Sequence, residues 1–198
     1  MLKIDFLSKS WRYRISKATL NNEFIAKAMG TPPKANPRIL DVTAGLGRDS
    51  FILAALGYHI TLIERSPIVF QQLSAALQRA AMDERFRDVI ARMHLIHADA
   101  LDYLQGQTAD IIYLDPMFPS RNKSALVKKE IQQLQSLVGP DDDANQLLTL
   151  ALSCATKRVV VKRPRLSESL GQLPPHFSYE GKSSRFDIYL IPQRARTT

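Results

Sequence analysis

The sequence predicts an α/β fold: a mainly parallel β-sheet covered by helices, with antiparallel strands at one edge. Between residues 38 and 161, short apolar runs alternate with segments of helical periodicity. This alternation is typical of parallel strands joined by crossover helices. Two further strand-like segments, 177–180 and 185–190, come last and are close enough in the chain to form a hairpin.

The five strands that precede the hairpin are short and apolar. They are predicted at residues 38–42, 59–63, 93–97, 111–114 and 159–161. Strands buried on both faces of a parallel sheet have this composition.

Helices are predicted from capping signals and apolar stripes. The helix at residues 49–56 ends before Gly57, because glycine tolerates the left-handed backbone that follows many helices. The next helix begins after Ser66, with Pro67 in its first turn. Its apolar stripe comprises Leu73, Leu77 and Ala80.

Two later helices complete this part of the prediction. One has apolar residues at helical spacing: Val127, Ile131, Leu134 and Val138. The other begins at the acidic residues 141–143, interpreted as a cap and not as a metal site, and runs to about residue 155.

Length and composition indicate an ordinary globular protein with one main domain. The chain has 198 residues, of which 45% are hydrophobic and 23% charged. We divide it into an N-terminal arm with a short helix, residues 1–30, and a main domain, residues 31–198. No apolar run approaches the roughly 20 residues of a membrane span, and no signal peptide is recognisable. The single cysteine, Cys154, is predicted to be a packed thiol and fits a reducing cytosol, so we expect a cytoplasmic protein without a membrane partner.

The positive charge is clustered, and it favours a polyanionic partner. The formal net charge is +8. Residues 1–30 contain six Lys or Arg against two acids, and residues 157–165 contain five Lys or Arg and no acid. Such clusters are typical of contact with nucleic acid, although a solvated surface would also explain them.

The N-terminal arm has mixed polarity and allows two interpretations. Trp11 and Tyr13 alternate with Arg12 and Arg14, which would suit an arm facing RNA or an edge strand that packs one ring. A short helix follows at residues 22–29, before Gly30.

A glycine-containing loop follows the first strand and is a candidate cofactor site. Asp41 ends the strand, and Gly45 and Gly47 let the backbone approach a ligand closely. A nicotinamide-binding loop would need a third glycine at position 50, where this chain has Ser50. An acid with paired glycines instead favours S-adenosylmethionine.

Acids at the ends of the next two strands extend this site. Glu64 lies 23 residues after Asp41 and can accept hydrogen bonds from both ribose hydroxyls of an adenosine. Asp99 follows the third strand and can accept from an adenine amino group or cap a helix, and the sequence leaves both open.

The segment Asp115-Pro116-Met117-Phe118-Pro119 follows the fourth strand and suits methylation of an exocyclic amine. The Asp115 carboxylate and the Pro116 carbonyl can accept from the amine protons, while Phe118 can stack on the base. This segment is close to the Asp/Asn-Pro-Pro-Tyr/Phe signature of amino-methyltransferases, with Met117 in place of the second proline. We therefore predict Asp115, Pro116 and Phe118 as catalytic residues. The four histidines form no ligand set, and no metal is expected.

Five passages resemble the bacterial family of ribosomal RNA small subunit methyltransferase J, which methylates the N2 amine of a guanine in 16S rRNA. They are residues 43–49, 113–119, 123–130, 155–164 and 185–189, so the resemblance covers nearly the whole chain. It implies a Rossmann-like class I S-adenosylmethionine-dependent methyltransferase fold with a seven-stranded, mainly parallel sheet. It also implies these cofactor contacts: Arg48, Asp49, Glu64, Arg65, Ala98, Asp99 and Asp115.

Two features depart from the family pattern. Members usually carry an additional segment before the part seen here, so a shortened N-terminus is expected. The family's glycine-rich passage after paired arginines is replaced by residues 15–21.

The function expected from the resemblance is transfer of a methyl group to guanine N2, with 16S rRNA or the small ribosomal subunit as partner. Candidate phosphate contacts are Arg121, Lys123, Lys128, Lys129, Lys157, Lys162, Arg163 and Arg165. The residues by themselves leave other functions open: methylation of an adenine or cytosine amine, nicotinamide-dependent oxidoreduction, and RNA binding without catalysis.

Overall fold

The computed structural model describes residues 4–116 and 143–192. The helix predicted around residues 127–138 lies outside these ranges, and so do Asp141 and residue 142. The same is true of these predicted site residues: Phe118, Arg121, Lys123, Lys128 and Lys129.

Seven strands form one sheet in the described residues, in the order β3-β2-β1-β4-β5-β7-β6. β1 to β5 pair in parallel, and β7 is antiparallel to both β5 and β6. The predicted fold class is therefore confirmed. The strands are β1 Ile39–Asp41, β2 Ile60–Glu64, β3 Met93–His97, β4 Ala109–Leu114, β5 Ala155–Pro164, β6 Phe177–Glu180 and β7 Ser184–Leu190.

Helices cover the sheet and connect its parallel strands. The α-helices described are α1 Lys9–Lys17, α2 Phe24–Met29, α3 Arg48–Ala55, α4 Pro67–Ala81, α5 Glu84–Ile90, α6 Ala100–Tyr103 and α7 Ala144–Cys154. Short 3-10 turns lie at Pro33–Ala35 and Leu170–Gln172. None of the helices in the described ranges is long and apolar enough to cross a bilayer.

The central strands are mainly apolar because both faces of the sheet are covered. Ile111 and Tyr113 of β4 face one hydrophobic cluster, whereas Ile112 and Leu114 face the other. Successive strand residues point to opposite faces, so a sheet between two layers of helices favours consecutive apolar residues in its strands.

The predicted start and apolar stripe of helix α4 and the predicted burial of Cys154 are confirmed. The Ser66 hydroxyl accepts from the Val69 amide at 3.4 Å, and Pro67 opens α4. The predicted stripe Leu73, Leu77 and Ala80 is buried. Cys154 is also buried, as predicted, and its thiol donates to the Leu104 carbonyl at 3.3 Å.

Strand β5 is longer than its predicted apolar centre. It extends over Ala155–Pro164 because it pairs with β4 on one side and β7 on the other. Ladder hydrogen bonds therefore continue past Val161 into the basic residues that follow it. This extension carries Lys162 and Arg163 into the sheet.

Part of the N-terminal arm is a helix, and not the edge strand that one of the two interpretations requires. Its residues Lys9–Lys17 form helix α1, capped by Ser8. Trp11 packs edge-on against Phe6 and Phe51, at ring-centroid distances of 5.8 and 5.5 Å. The alternation of rings and cations concealed the helical spacing of Trp11 and Ile15, which both pack against the core. One ring does pack, as one of the two interpretations requires, but it packs from a helix.

Replacing Trp11 with alanine should lower the free energy of unfolding by about 2 kcal/mol, because it removes a partly buried indole from an aromatic cluster. Urea unfolding followed by circular dichroism measures this change. Tyr13→Ala is the matched control on the same helix, since Tyr13 is 68% exposed. Its effect should stay within about 0.5 kcal/mol. Equal losses in the two variants would contradict the proposed packing.

Candidate active site

The carboxyl ends of β1, β2 and β4 converge at one edge of the sheet. β1 lies between the other two, with Asp41 opposite Leu62 of β2 and Tyr113 of β4. The chain order reverses between β1 and β4, which is where open α/β sheets bind ligands. The site therefore forms around the residues that follow these three strands.

The glycine loop between β1 and α3 is a tight turn with two left-handed residues. Gly45 has φ 51° and Gly47 has φ 66°. The Gly47 amide donates to the Ala44 carbonyl at 2.8 Å. A Cβ on Gly47 would lie 2.8 Å from a methyl carbon of the buried Leu73 in α4, so either that side chain or the loop would have to shift. Backbone conformation and packing both favour glycine at position 47.

Asp41 supports this loop from beneath. The Ser50 hydroxyl donates to its Oδ2 at 2.5 Å, and the Thr43 amide donates to its Oδ1 at 3.2 Å. Burial raises the pKa of Asp41 to about 7, although the two hydrogen bonds lower it. Asp41 is 3% exposed, so its contacts are with the loop itself. Ser50 stands where a nicotinamide-binding loop would have its third glycine. Its hydroxyl binds Asp41 and so helps to stabilise this loop.

Glu64 lies beside the same loop. Its Oε2 accepts from the Gly45 amide at 2.8 Å, and its Oε1 accepts from the Ser66 amide at the same distance. A carboxylate has about four acceptor positions. These groups fit an adenosyl cofactor. The Glu64 carboxylate is held in one orientation, in which it could accept from ribose hydroxyls, and Gly45 beside it has no side chain that would block a ligand.

Lys162 connects the segment after the glycine loop with the segment after β4. Its ammonium donates to Asp49 Oδ2 at 2.6 Å and to Asp115 Oδ2 at 2.9 Å. The Tyr113 hydroxyl also donates to Asp49 Oδ2, at 2.5 Å. The Asp115 amide donates to the Thr43 hydroxyl oxygen at 2.6 Å. Asp115 is therefore held through both its backbone and its side chain.

The electrostatics of this cluster favour a charged Lys162. Burial lowers the pKa of Lys162, but Asp115 and Asp49 more than compensate, and the pKa is raised above its ordinary value. Burial raises the pKa of Tyr113 well above the usual value, and the neighbouring carboxylates raise it further. Tyr113 is therefore a neutral donor at physiological pH.

Two of the predicted phosphate contacts have partners within the protein. The Lys162 ammonium pairs with Asp49 and Asp115, and its side chain is 26% exposed. Arg163 is 8% exposed, and its guanidinium donates twice to the Glu168 carbonyl, at 3.0 and 2.6 Å. Both residues belong to strand β5, whose pairing with β7 continues past Val161 and holds them in the sheet.

The remaining predicted cofactor contacts also lie at this edge. Asp99 caps α6, with its Oδ1 accepting from the Leu101 amide at 2.8 Å, so the capping interpretation is confirmed. The Ala98 amide donates to the Glu64 carbonyl at 3.2 Å. Arg48 opens α3 and is half-buried.

Arg65 has a partner that the sequence did not indicate. Its guanidinium donates to Asp143 Oδ2 at 2.7 Å. Asp143 stands at the N-cap position of α7, but its side chain makes no capping hydrogen bond there. The helix therefore begins where the acidic residues predicted it, but the Asp143 carboxylate pairs with a cation from the loop after β2 and does not cap the helix.

Pro116 is buried behind Asp115, whose side chain is 39% exposed. Phe118 lies outside the described residues, so its stacking role stays a prediction. Among residues 4–116 and 143–192, no group of three or more His, Cys, Asp or Glu could hold a metal ion.

Comparison with known proteins first defines a class. Residues 1–191 match the family model described as "Putative SAM-dependent methyltransferase". A solved S-adenosylmethionine-dependent methyltransferase from Neisseria gonorrhoeae is 40% identical with a TM-score of 0.74, covering 95% of this chain and 74% of that one. An RNA methyltransferase from Salinibacter ruber, solved with S-adenosyl-L-homocysteine, is 12% identical with a TM-score of 0.51, covers 88% of this chain and 92% of that one, and shows the fold alone. The chain is an S-adenosylmethionine-dependent methyltransferase.

Closer relatives then define the family. A protein from Dechloromonas aromatica named ribosomal RNA small subunit methyltransferase J is 49% identical over 199 residues, which is 98% of this chain and 80% of the relative. The protein of the same name from Thioalkalivibrio sulfidiphilus is 45% identical over 193 residues, 96% of this chain and 76% of the relative. The chain belongs to the ribosomal RNA small subunit methyltransferase J family.

Gly47→Ala should weaken S-adenosylmethionine binding at least about tenfold, or 1.4 kcal/mol. The new methyl group would lie too close to Leu73, and alanine would have to adopt a left-handed backbone conformation. The loop is therefore expected to shift. Isothermal titration with S-adenosylmethionine measures the affinity.

Gly106→Ala is the matched control for this substitution. Gly106 also has a positive φ, 75°, but nothing lies within 4 Å of its added Cβ. It should share the backbone strain of about 1–2 kcal/mol and keep the cofactor affinity of the parent. An unchanged affinity in Gly47→Ala would contradict the role of the loop.

Proposed function

We propose that the chain transfers a methyl group from S-adenosylmethionine to the exocyclic N2 amine of a guanine in 16S rRNA. The names of its relatives support a small-subunit rRNA substrate. The observation that carries the chemistry is the position of Asp115-Pro116: directly after β4, hydrogen-bonded to the glycine loop at Thr43. An acceptor for amine protons thus lies beside the proposed cofactor loop.

The cofactor is assigned to the residues at the ends of β1, β2 and β3. Glu64 would bind the ribose hydroxyls, and the backbone at Gly45 and Gly47 would lie against the amino-acid portion. We assign Asp41 a supporting role beneath the loop, since its contacts are with Ser50 and Thr43. The other proposed contacts are Arg48, Asp49, Arg65, Ala98, Asp99 and Asp115.

Orientation is the main demand of the reaction, because the lone pair of a guanine amine is delocalised into the base. Acceptors on the two amine protons can hold the nitrogen so that its lone pair faces the methyl donor. Asp115 provides a carboxylate and Pro116 a carbonyl, whose direction the proline ring restricts. Phe118, two residues further on, is proposed to stack on the base.

When bound, S-adenosylmethionine supplies the methyl group: an N–C bond forms as the sulfonium C–S bond breaks, and neutral S-adenosylhomocysteine leaves. The methylated amine then loses one proton. The Asp115 carboxylate, which is 39% exposed, is positioned to take that proton and pass it to water. No covalent protein intermediate is required.

The RNA substrate is expected to lie over the same edge of the sheet. Arg165 is half-exposed there, at 52%, and remains a proposed phosphate contact, although its guanidinium lies 3.5 Å from the exposed carboxylate of Glu180. Lys157 is weaker as a candidate, since its ammonium pairs with Asp110 at 3.0 Å. Arg121, Lys123, Lys128 and Lys129 remain proposals from the sequence. Action on ribosomal RNA implies a cytoplasmic location.

Asp115→Ala should lower the rate of methyl transfer at least 100-fold and leave cofactor affinity within about tenfold, or 1.4 kcal/mol. The carboxylate orients the acceptor amine, whereas Glu64 and the glycine loop hold the cofactor. Single-turnover assays and cofactor titration separate the two effects. Asp110→Ala is the matched control, because it also removes an aspartate paired with a lysine of β5, but at the opposite end of β4. Near-parent turnover in Asp115→Ala would overturn the catalytic assignment.

The identity of the methylated base is the direct test of the proposed function. Undermethylated small-subunit rRNA is incubated with the protein and labelled S-adenosylmethionine, then digested to nucleosides for mass spectrometry. N2-methylguanosine should appear, and it should be absent with Asp115→Ala. A methylated adenine or cytosine amine would instead establish the alternative acceptor.

A further inference from the structure

Lys162 contacts two acids that belong to different parts of the site. Asp49 lies in the first turn of α3, directly after the glycine loop, and Asp115 follows β4. Lys162 itself comes from β5, so one ammonium connects three elements. Its distances of 2.6 and 2.9 Å are those of charge-assisted hydrogen bonds.

Negative charge is concentrated around this ammonium. Asp41, Asp49 and Asp115 lie at one edge of the sheet, and the Tyr113 hydroxyl donates to Asp49 within the same group. Both Asp49 and Asp115 raise the pKa of Asp41. Like charges this close disfavour one another's ionisation, so a cation between Asp49 and Asp115 favours the charged form of both carboxylates.

We propose that Lys162 is a positioning residue for methyl transfer: it keeps Asp115 ionised and oriented, and it ties Asp115 to the cofactor loop through Asp49. The inference rests on the proposed function, in which Asp115 holds the acceptor amine. It assigns Lys162 a role different from the phosphate contact that its place in a basic run predicts.

Two contacts at Asp115 explain how Lys162 acts on orientation. The Thr43 hydroxyl fixes the backbone of Asp115 at 2.6 Å, but it leaves rotation of the side chain undetermined. The Lys162 ammonium restrains that rotation by binding Oδ2. The lysine is itself restrained by Asp49, and its side chain is 26% exposed. Removing the cation therefore frees the carboxylate to turn and makes its ionisation less favourable.

Lys162→Met keeps the length of the side chain and removes its charge, while Lys162→Arg keeps a cation. In Lys162→Met, methyl transfer under saturating substrates should fall at least 30-fold, with the KM for S-adenosylmethionine within threefold of the parent. The acid limb of the rate-against-pH profile should move upward by about one pH unit, since protonated Asp115 accepts more weakly from the amine and cannot take its proton. Lys162→Arg should recover at least a tenth of the parent rate and the parent pH profile.

Other roles for Lys162 predict different results. If Lys162 were a phosphate contact, Lys162→Met would raise the KM for RNA and leave turnover unchanged. The slope of log affinity for RNA against log salt concentration would also become shallower by about one. A purely structural role would lower the thermal unfolding temperature and the rate while leaving the pH profile in place. Either pattern would overturn the inference.

A measurement without RNA separates this inference from the proposed function. Carboxyl-carbon NMR of the cofactor-free protein follows the titration of Asp115, with Asp41 and Asp49 assigned in the same spectra. The Asp115 midpoint should be higher in Lys162→Met than in the parent and Lys162→Arg proteins. An unchanged midpoint overturns the inference even if the parent methylates rRNA. Absence of N2-methylguanosine with the parent protein overturns the proposed function instead.

Discussion

The parallel pairing of β1 with β4 is the constraint on which the site depends. The Val42 amide donates to the Tyr113 carbonyl at 3.0 Å, and the Asp115 amide donates to the Thr43 hydroxyl at 2.6 Å. These bonds continue the strand pairing past the ends of both strands. They bring the glycine loop and Asp115, which are far apart in the sequence, to the same edge. A shift of one residue in this register would turn Tyr113 away from Asp49 and point it to the opposite face of the sheet.

Placing three carboxylates at this edge is unfavourable for folding when all of them are charged. Asp41 differs from Asp49 and Asp115 in how this unfavourable charge is reduced. Asp41 is buried, which raises its pKa from 3.8 to about 7. The folded protein therefore binds this proton more tightly than the unfolded chain does. That contribution to stability is present below about pH 3.8 and is lost as the pH rises to about 7. Asp49 and Asp115 are instead paired with Lys162, whose charge offsets theirs at neutral pH.

Predictions from local patterns succeeded where the signal and its effect lie close in the chain. Gly57 follows a helix with φ 98°, and Ser66 caps the next one. Besides α1, two short helices were missed: Glu84–Ile90 and Ala100–Tyr103. They are too short to show a repeating apolar stripe. Their capping acids, Asp83 and Asp99, were the available signals, and only Asp99 was considered as a cap.

The sequence by itself determined the chemistry available at each strand end. Short apolar runs predict the strands, and these residues lie at or just after the strand ends: Gly45, Gly47, Glu64 and Asp115. Each such run can be recognised from a few neighbouring residues. The tertiary structure decided how those groups are paired. Lys162 meets Asp49 across 113 residues and Asp115 across 47, and that contact depends on the register of three strands. Register is set by packing across the whole sheet, so Lys162, one residue of a basic run that suggested a surface for RNA, lies between two acids of the proposed site.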